Sequence, residues 1–266
     1  DVSMSLEGVD SLVICAVSYA HVDNKKPPFP NSRVAQYATS NAKEVLSNAL
    51  ENVSFFLRNS GWRTRILTDD NGLVDRAAAM RAGIGFYGKN ALLINEEWGS
   101  TVLLGSVATT APPFSETKYS LEQKISGCGK CNACIPACPT GAIVAPGIID
   151  AKNCLSWVAQ SQDIISEEHR VAMGDRIYGC DECQDACPFN KIQKRRTSDS
   201  SVLPTYLDLA LLLRCSENEL LEIAGEWYVY NRDPKYLRRN VLINAGNVLP
   251  LDSPLWQEVS KWSMSE

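Results

Sequence analysis

The sequence predicts a mixed α+β, α/β chain in three parts: a layered α/β unit over residues 1–115, a cysteine-dense middle over 116–195 and a small helical module over 196–266. Three observations lead there. A β-branched apolar run and a long amphipathic pattern alternate near the start; nine of the ten cysteines fall between Cys128 and Cys215; and helical periodicity returns only after Leu203. With 266 residues, the chain has length for a sizeable core outside the cysteine region.

Leu12 to Tyr19 is continuously apolar, as a buried central strand requires. A helical pattern runs from about Val34 to Arg58, with Val45, Leu46, Leu50, Val53, Phe56 and Leu57 recurring at three and four residues and Gly61 just past its end. Trp62 to Leu67 reads as a second strand, giving the order β, α, β. An acidic turn, Asp69-Asp70-Asn71-Gly72, leads into an alanine-rich helix from Val74 to Arg81. Ala91 to Asn95 and Thr101 to Thr109 are expected to form a hairpin with a longer loop. Ala111 to Lys124, with Pro112-Pro113, is linker-like. Beyond the cysteines, helical patterns cover Tyr206 to Leu213, Glu217 to Trp227 and Tyr236 to Asn247.

Cys128, Cys131, Cys134 and Cys138-Pro139 read C-x2-C-x2-C-x3-C-P, the spacing in which three thiolates close on one cubane and the fourth cysteine ligates the other cluster. Cys180, Cys183 and Cys187-Pro188 form a second run that lacks its leading cysteine, and Cys154 lies unassigned between the two. Pseudo-symmetric pairing then predicts two [4Fe-4S] centres in a ferredoxin-like domain: Cys128, Cys131, Cys134 and Cys187 for one, Cys138, Cys154, Cys180 and Cys183 for the other. Zinc asks for two cysteine pairs per tetrahedral site and gives the proline no role. Disulfides suit neither the close spacing nor a reducing compartment. Cys15 and Cys215, in apolar stretches, read as small buried hydrophobes.

A pure two-cluster protein needs only the middle quarter of this chain, so the remainder is expected to use the electrons. No run approaches eighteen apolar residues and the start offers no secretory signal, so a cytoplasmic protein is expected. The net charge of −5 gives no global attraction for nucleic acid, although Lys191 to Arg196 and Arg232 to Arg239 are locally basic. Ala82 to Asn90 (AGIGFYGKN) departs from both phosphate-binding glycine patterns: Asn90 follows Lys89, and the glycines follow a helix instead of opening one. Glycines there let the backbone approach a flat ligand or another strand. Of only two histidines, His169 belongs on an exposed helix and His21 is a candidate to line a pocket at the end of the first strand; neither offers a ligand pair or a catalytic base.

In combination, Asp69 to Gly88, the cysteine run through Ile143, Cys154-Leu155-Ser156-Trp157, the segment Gly174 to Asn190 (GDRIYGCDECQDACPFN) and Leu237 to Asn247 (LRRNVLINAGN) resemble the epoxyqueuosine reductase family over nearly the whole chain. The resemblance implies a cobalamin in the α/β domain, held without a histidine ligand, and electrons reaching its cobalt through the two clusters. It implies reduction of epoxyqueuosine to queuosine at the tRNA wobble position, the last step of queuosine biosynthesis, by a monomer served by an external flavodoxin- or ferredoxin-type donor. Asp69 falls at the catalytic acid position, where related chains read D-[ST]-A-P-V-x-E-[RK]; here the Ala-Pro is replaced and the acid doubled, so Asp70 rivals it. The acid must be protonated near neutral pH, which burial against a corrin favours.

By the same resemblance Asp69, Gly83, Gly85, Asn90, Leu93, Leu104 and Ser156 border the cobalamin, and the two basic runs become phosphate contacts. Two departures stand out. The chain starts at Asp1, about ten residues before its first strand, where relatives carry a longer segment that helps enclose the cobalamin, so part of that enclosure is expected to be missing. Tyr37 to Lys43 lacks the aromatic and the histidine of the family's Y-A-x-G-x-D-Y-H stretch. A reductive dehalogenase relative and a non-catalytic ferredoxin-like carrier remain the alternatives.

Overall fold

The computed structural model describes residues 5–20, 29–70, 72–113, 126–193 and 204–263. The first part is built from β1 (Ser11–Ser18), β2 (Asn31–Val34), α1 (Ala42–Asn59), β3 (Thr64–Leu67), α2 (Asp75–Arg81), β4 (Phe86–Tyr87), β5 (Leu93–Ile94) and β6 (Val102–Thr109). Its main sheet has the order β1-β6-β3. β6 is antiparallel to both neighbours, from Ser11↔Thr109 to Ser18↔Val102 on one side and from Thr64↔Thr109 to Leu67↔Ser106 on the other. β1 and β3 are therefore parallel, with their C-terminal ends at one edge.

Period-two alternation divides the sheet's faces. Val13, Cys15, Val17, Ile66, Leu103 and Val107 pack beneath Leu46, Leu50 and Leu57 of α1. Gly105 permits that closeness, since a Cβ there would lie 2.7 Å from Leu50 Cδ1. Ile14, Val102 and Leu104 face the other way, onto Ala79 and Met80 of α2 and onto Leu93.

Two expectations fail in this region. The helix predicted from Val34 begins only at Ala42, after β2 and a 3-10 turn at Gln36–Ala38, because residues 31–34 find strand partners far away in sequence, and that pairing overrides the local helical period. The predicted hairpin does not form either. β5 pairs with β4 (Phe86↔Ile94, Tyr87↔Leu93) across a turn at residues 88–92, while β6 takes the centre of the main sheet.

The cysteine-rich segment holds short elements: α3 (Cys134–Ala137), β7 (Ile143–Ala145), β8 (Ile148–Ile149), α4 (Leu155–Val158), α5 (Glu167–Met173), β9 (Arg176–Tyr178), α6 (Glu182–Asp185) and α7 (Pro188–Gln193). Ser166 caps α5 by accepting from His169 N at 3.3 Å, and His169 lies on this exposed helix as expected. The C-terminal part adds β10 (Tyr206–Asp208), α8 (Leu209–Arg214), α9 (Glu217–Ala224), α10 (Lys235–Val248) and α11 (Trp256–Ser263). The pattern from Tyr206 thus starts as a strand. Asp208 then accepts from Ala210 N at 2.7 Å and Leu211 N at 3.3 Å to open α8.

β2 runs between β9, parallel, and β10, antiparallel. The largest core lies there, with Val34, Ile177 and Tyr178 packed among Leu209, Leu212, Leu213, Leu237, Val241 and Ala245. Among the described residues no helix is long and apolar enough to cross a membrane.

Candidate functional site

None of the ten cysteines is in a disulfide; Cys215 is buried and Cys15 half-buried, as expected of small hydrophobes. The other eight fall into two neighbourhoods. Burial first, then the charges of Cys128, Cys187 and Cys131, push the Cys134 thiol up; burial does the same to Cys187, which feels Cys128 and Cys131. Cys183 is raised chiefly by burial, then by Cys180, Cys154 and Asp181, with Cys134 a more remote neighbour. Burial also acts on Cys138, but hydrogen bonds from Thr140, Ala142 and Ile143 outweigh it and hold that thiol low. The Ala142 N–H reaches its Sγ at 3.2 Å. Among the described residues no three His, Cys, Asp or Glu side chains converge tightly enough to hold a single ion. A zinc site of four cysteines would bring its sulfurs within about 4 Å of one another. Thiols met by backbone N–H groups, as Cys138 is, are a donor set that suits an iron–sulfur cluster.

The glycine-rich motif after α2 turns out to be the dock for these loops. Phe86 stands edge-on to Phe189, ring centroids 5.5 Å apart, and a Cβ on Gly127 would strike the Phe86 ring. Lys89 Nζ donates to Gly129 O at 2.9 Å and Asn132 Oδ1 at 2.8 Å, inside the first cysteine run. A Cβ on Gly99 would strike Asn190, whose Oδ1 accepts from Ser100 N at 2.7 Å. Gln184, between Cys183 and Cys187, accepts from Tyr19 OH and Ser100 Oγ at 3.0 Å each and donates to Asp181 Oδ1 at 3.1 Å. Tyr19 follows β1 and Ser100 precedes β6, so the thiol-bearing segment sits against the sheet edge where β1 and β3 end.

Asp69 leaves that edge in left-handed backbone (φ 50°) with its side chain exposed. Asp70 is committed to the turn: its Oδ1 accepts from Gly72 N at 2.7 Å and its Oδ2 lies 3.6 Å from Arg65. A third carboxylate, Asp75, joins them. Its Oδ1 is buried without a partner. Burial, then the charge of Asp69, push its carboxyl up, against the pull of Arg76 and with a smaller push from Asp70.

The other expected site residues separate into two sets. Gly83 opens onto space with no atom within 4 Å of a built Cβ, and Leu104 is partly buried. Ser156, on α4 just after Cys154, is hydrogen-bonded to Tyr37. In contrast, Leu93 is 2% exposed, Gly85 lies too close to Ile94 O to admit a side chain, and the buried Asn90 accepts from Leu92 N at 3.3 Å. These three build the β4–β5 hairpin itself.

The basic cluster at Arg232–Arg239 is corrected. Arg238 is 5% exposed, donates to Leu212 O and Cys215 O at 2.5 and 2.6 Å and stacks on Trp262 at 3.8 Å. Arg239 holds Ser161 O and Asp163 O at 2.9 Å each. The carbonyls that these two guanidiniums satisfy, buried ones in the case of Arg238, hold them against the fold, and of the four basic residues only Arg232 and Lys235 remain exposed. His21, and residues 194–196 of the other basic run, lie outside the described residues.

Reading by spacing missed Lys89 as a docking residue, and with it Gln184, Asn190 and Asp75. The one available signal was a G-K-N that fits no phosphate loop.

Comparison with known proteins supplies context for this geometry. Residues 127–190 match the 4Fe-4S double cluster binding domain family. An epoxyqueuosine reductase of Lactococcus garvieae is 31% identical over 257 residues, covering 92% of this chain and 71% of the relative. One from Bacillus subtilis is 34% identical over 209 residues, covering 75% and 52%. The chain thus spans about half the length of some of the curated relatives it matches.

Among solved structures, a Bacillus subtilis epoxyqueuosine reductase with its catalytic aspartate loop swung out of the active site is similar at a TM-score of 0.79 and 30% identity, over 92% of this chain and 66% of that one. An epoxyqueuosine reductase with an epoxyqueuosine-modified tRNA stem loop is similar at a TM-score of 0.77 and 30% identity, over the same shares.

Proposed function

The chain belongs to the epoxyqueuosine reductase family, and from that premise we propose that it reduces epoxyqueuosine to queuosine at the wobble position of tRNA. One observation supports this reading above others: the eight-thiol segment is docked against the same sheet edge at which Asp69 leaves β3. A ferredoxin-like carrier has no use for that arrangement.

Converting the epoxide to an alkene takes two electrons and two protons and releases the oxygen as water. Cys128, Cys131, Cys134 and Cys187 would hold one [4Fe-4S] cluster and Cys138, Cys154, Cys180 and Cys183 the other, and the two would supply electrons one at a time from an external flavodoxin- or ferredoxin-type donor. Asp69 holds the proton for the departing oxygen, while Asp70 fixes the turn that presents it. Asp75, its Oδ1 buried, places a second acidic group behind Asp69, and burial together with the charge of Asp69 opposes ionisation of Asp75. A bound cobalamin would supply a two-electron reductant at this edge.

The residues present fit that group in part. Ile14, Val102 and Leu104 form an apolar face only partly covered by α2, and Gly83 leaves open space beside it. These residues and Ser156 would border the corrin, while Gly85, Asn90 and Leu93 shape the hairpin behind. The test is anaerobic purification with cobalamin, followed by nucleoside analysis of tRNA containing epoxyqueuosine. Queuosine formed by protein carrying eight irons supports the reading. Eight irons and bound corrin without product would make the chain a carrier.

A further inference from the structure

We propose that Lys89 raises the reduction potential of the cluster held in the Cys128–Cys134 loop, and so makes the two centres unequal. The inference rests on the reading that these cysteines bind a [4Fe-4S] centre.

Lys89 comes from the G-K-N motif that matches no phosphate loop. Its ammonium donates to Gly129 O at 2.9 Å and Asn132 Oδ1 at 2.8 Å. Gly129 lies between Cys128 and Cys131, and Asn132 between Cys131 and Cys134, so both acceptors belong to the loop that wraps the cluster. The base of the side chain is fixed as well. Lys89 O accepts from Gly147 N at 2.9 Å, and Gly88 before it is buried so tightly that a Cβ would lie 2.5 Å from Asn90 Oδ1.

Both acceptors are neutral oxygens, so the contact leaves a full positive charge beside the loop. Reduction adds one negative charge to a cluster. A nearby cation stabilises the reduced form more than the oxidised one, which raises the potential. The second cysteine run is mixed in charge, since Arg176, which acts on Cys180, is paired with a carboxylate and Lys89 is not. Asp181, Glu182 and Asp185 are interleaved with its cysteines, and Glu182 is shared by Arg33 at 2.8 Å and Arg176.

The experiment is a redox titration of the anaerobically loaded protein, followed by spin resonance. Iron is counted first, and the loop's own centre is identified as the one whose signal changes in Cys131→Ser. In Lys89→Met and Lys89→Gln that centre's midpoint moves to lower potential while the other stays, Lys89→Arg keeps the wild-type midpoint, and the shift shrinks with added salt. The proposal is overturned if Lys89→Met carries eight irons at unchanged midpoints, or if Lys89→Arg shifts as far as Lys89→Met. Should Lys89→Met fail to load, Lys89→Gln, which keeps a donor at that place and removes only the charge, must show the lowered midpoint. Wild-type protein without eight irons would instead remove the cluster reading beneath it.

Discussion

Replacing Asn240 by leucine isolates one joint between α10 and the cysteine-rich segment. Asn240 is fully buried, and its Nδ2 donates to Ala159 O at 2.7 Å and Ile177 O at 2.9 Å. Leucine has similar volume and no donor. A buried acceptor left without a partner costs about 1–3 kcal/mol. Ala159 O keeps a longer bond from Arg239 at 3.4 Å, so its share falls at the low end. Together the two carbonyls lose about 2–4 kcal/mol, and the apolar side chain returns about 1 kcal/mol. The net is about 1–3 kcal/mol, a large part of the 5–15 kcal/mol typical of a folded domain. Denaturant unfolding at matched iron content, followed by circular dichroism, reads this as a lower midpoint at unchanged slope. A loss below about 0.5 kcal/mol would refute the reasoning, because it would mean that water or a backbone shift supplies both carbonyls.

Asp69→Asn should lower queuosine formation by about 100- to 10,000-fold, the range for a lost general acid, while Asp70→Asn lowers it by less than about tenfold; equal losses would move the acid role away from Asp69. Glu182→Gln tests the ion network. Burial works against the Glu182 charge, but Arg176 and Arg33 outweigh it and hold its carboxyl below the ordinary glutamate value. A depressed carboxyl stabilises the fold above that ordinary value, about 4.3, and the benefit is lost as pH falls through the lower folded value. Wild type should therefore exceed Glu182→Gln by roughly 1–2 kcal/mol at pH 7, with the gap closing below about pH 4 in pH-dependent melts; a constant gap would dismiss the charge. Phe86→Ala removes the ring that meets Phe189 and Gly127, worth about 1–3 kcal/mol at a half-buried site, and iron should leave faster to a chelator than from Phe86→Leu.

The cysteines were legible because cluster ligation fixes both residue type and spacing. β1, α9 and the body of α1 were legible because each carries its period within one continuous stretch. β2 was not. Its four residues are stabilised by β9 and β10, and Arg33 pairs with Arg176 and Tyr206, partners that no local window contains. The same holds for Arg238, which reads as a surface cation in sequence and is buried because two carbonyls at the end of α8 need donors. Lys89, Gln184 and Asn190 form a dock only after folding brings the two parts together. α11 went unread because its apolar positions are few, with Trp262 reaching Leu213 O across the fold. Asp69 was placed by resemblance, and the exposed left-handed turn that presents it could not have been read from composition.

The strand at residues 31–34 also has a meaning in time. Ser32 Oγ donates to Asn244 Oδ1 at 2.7 Å, across 212 positions of chain. A ribosome adds about 5–20 residues each second, so β2 waits roughly 10–40 s for the helix that completes its surroundings. During that interval the eight thiols from Cys128 to Cys187 emerge, and the core around Val34 gains Ile177, Tyr178 and Leu209 but still lacks Leu237, Val241 and Ala245 of α10. The newborn chain must be guarded from aggregation and from premature oxidation at once, and iron loading before α10 arrives would meet a scaffold still open.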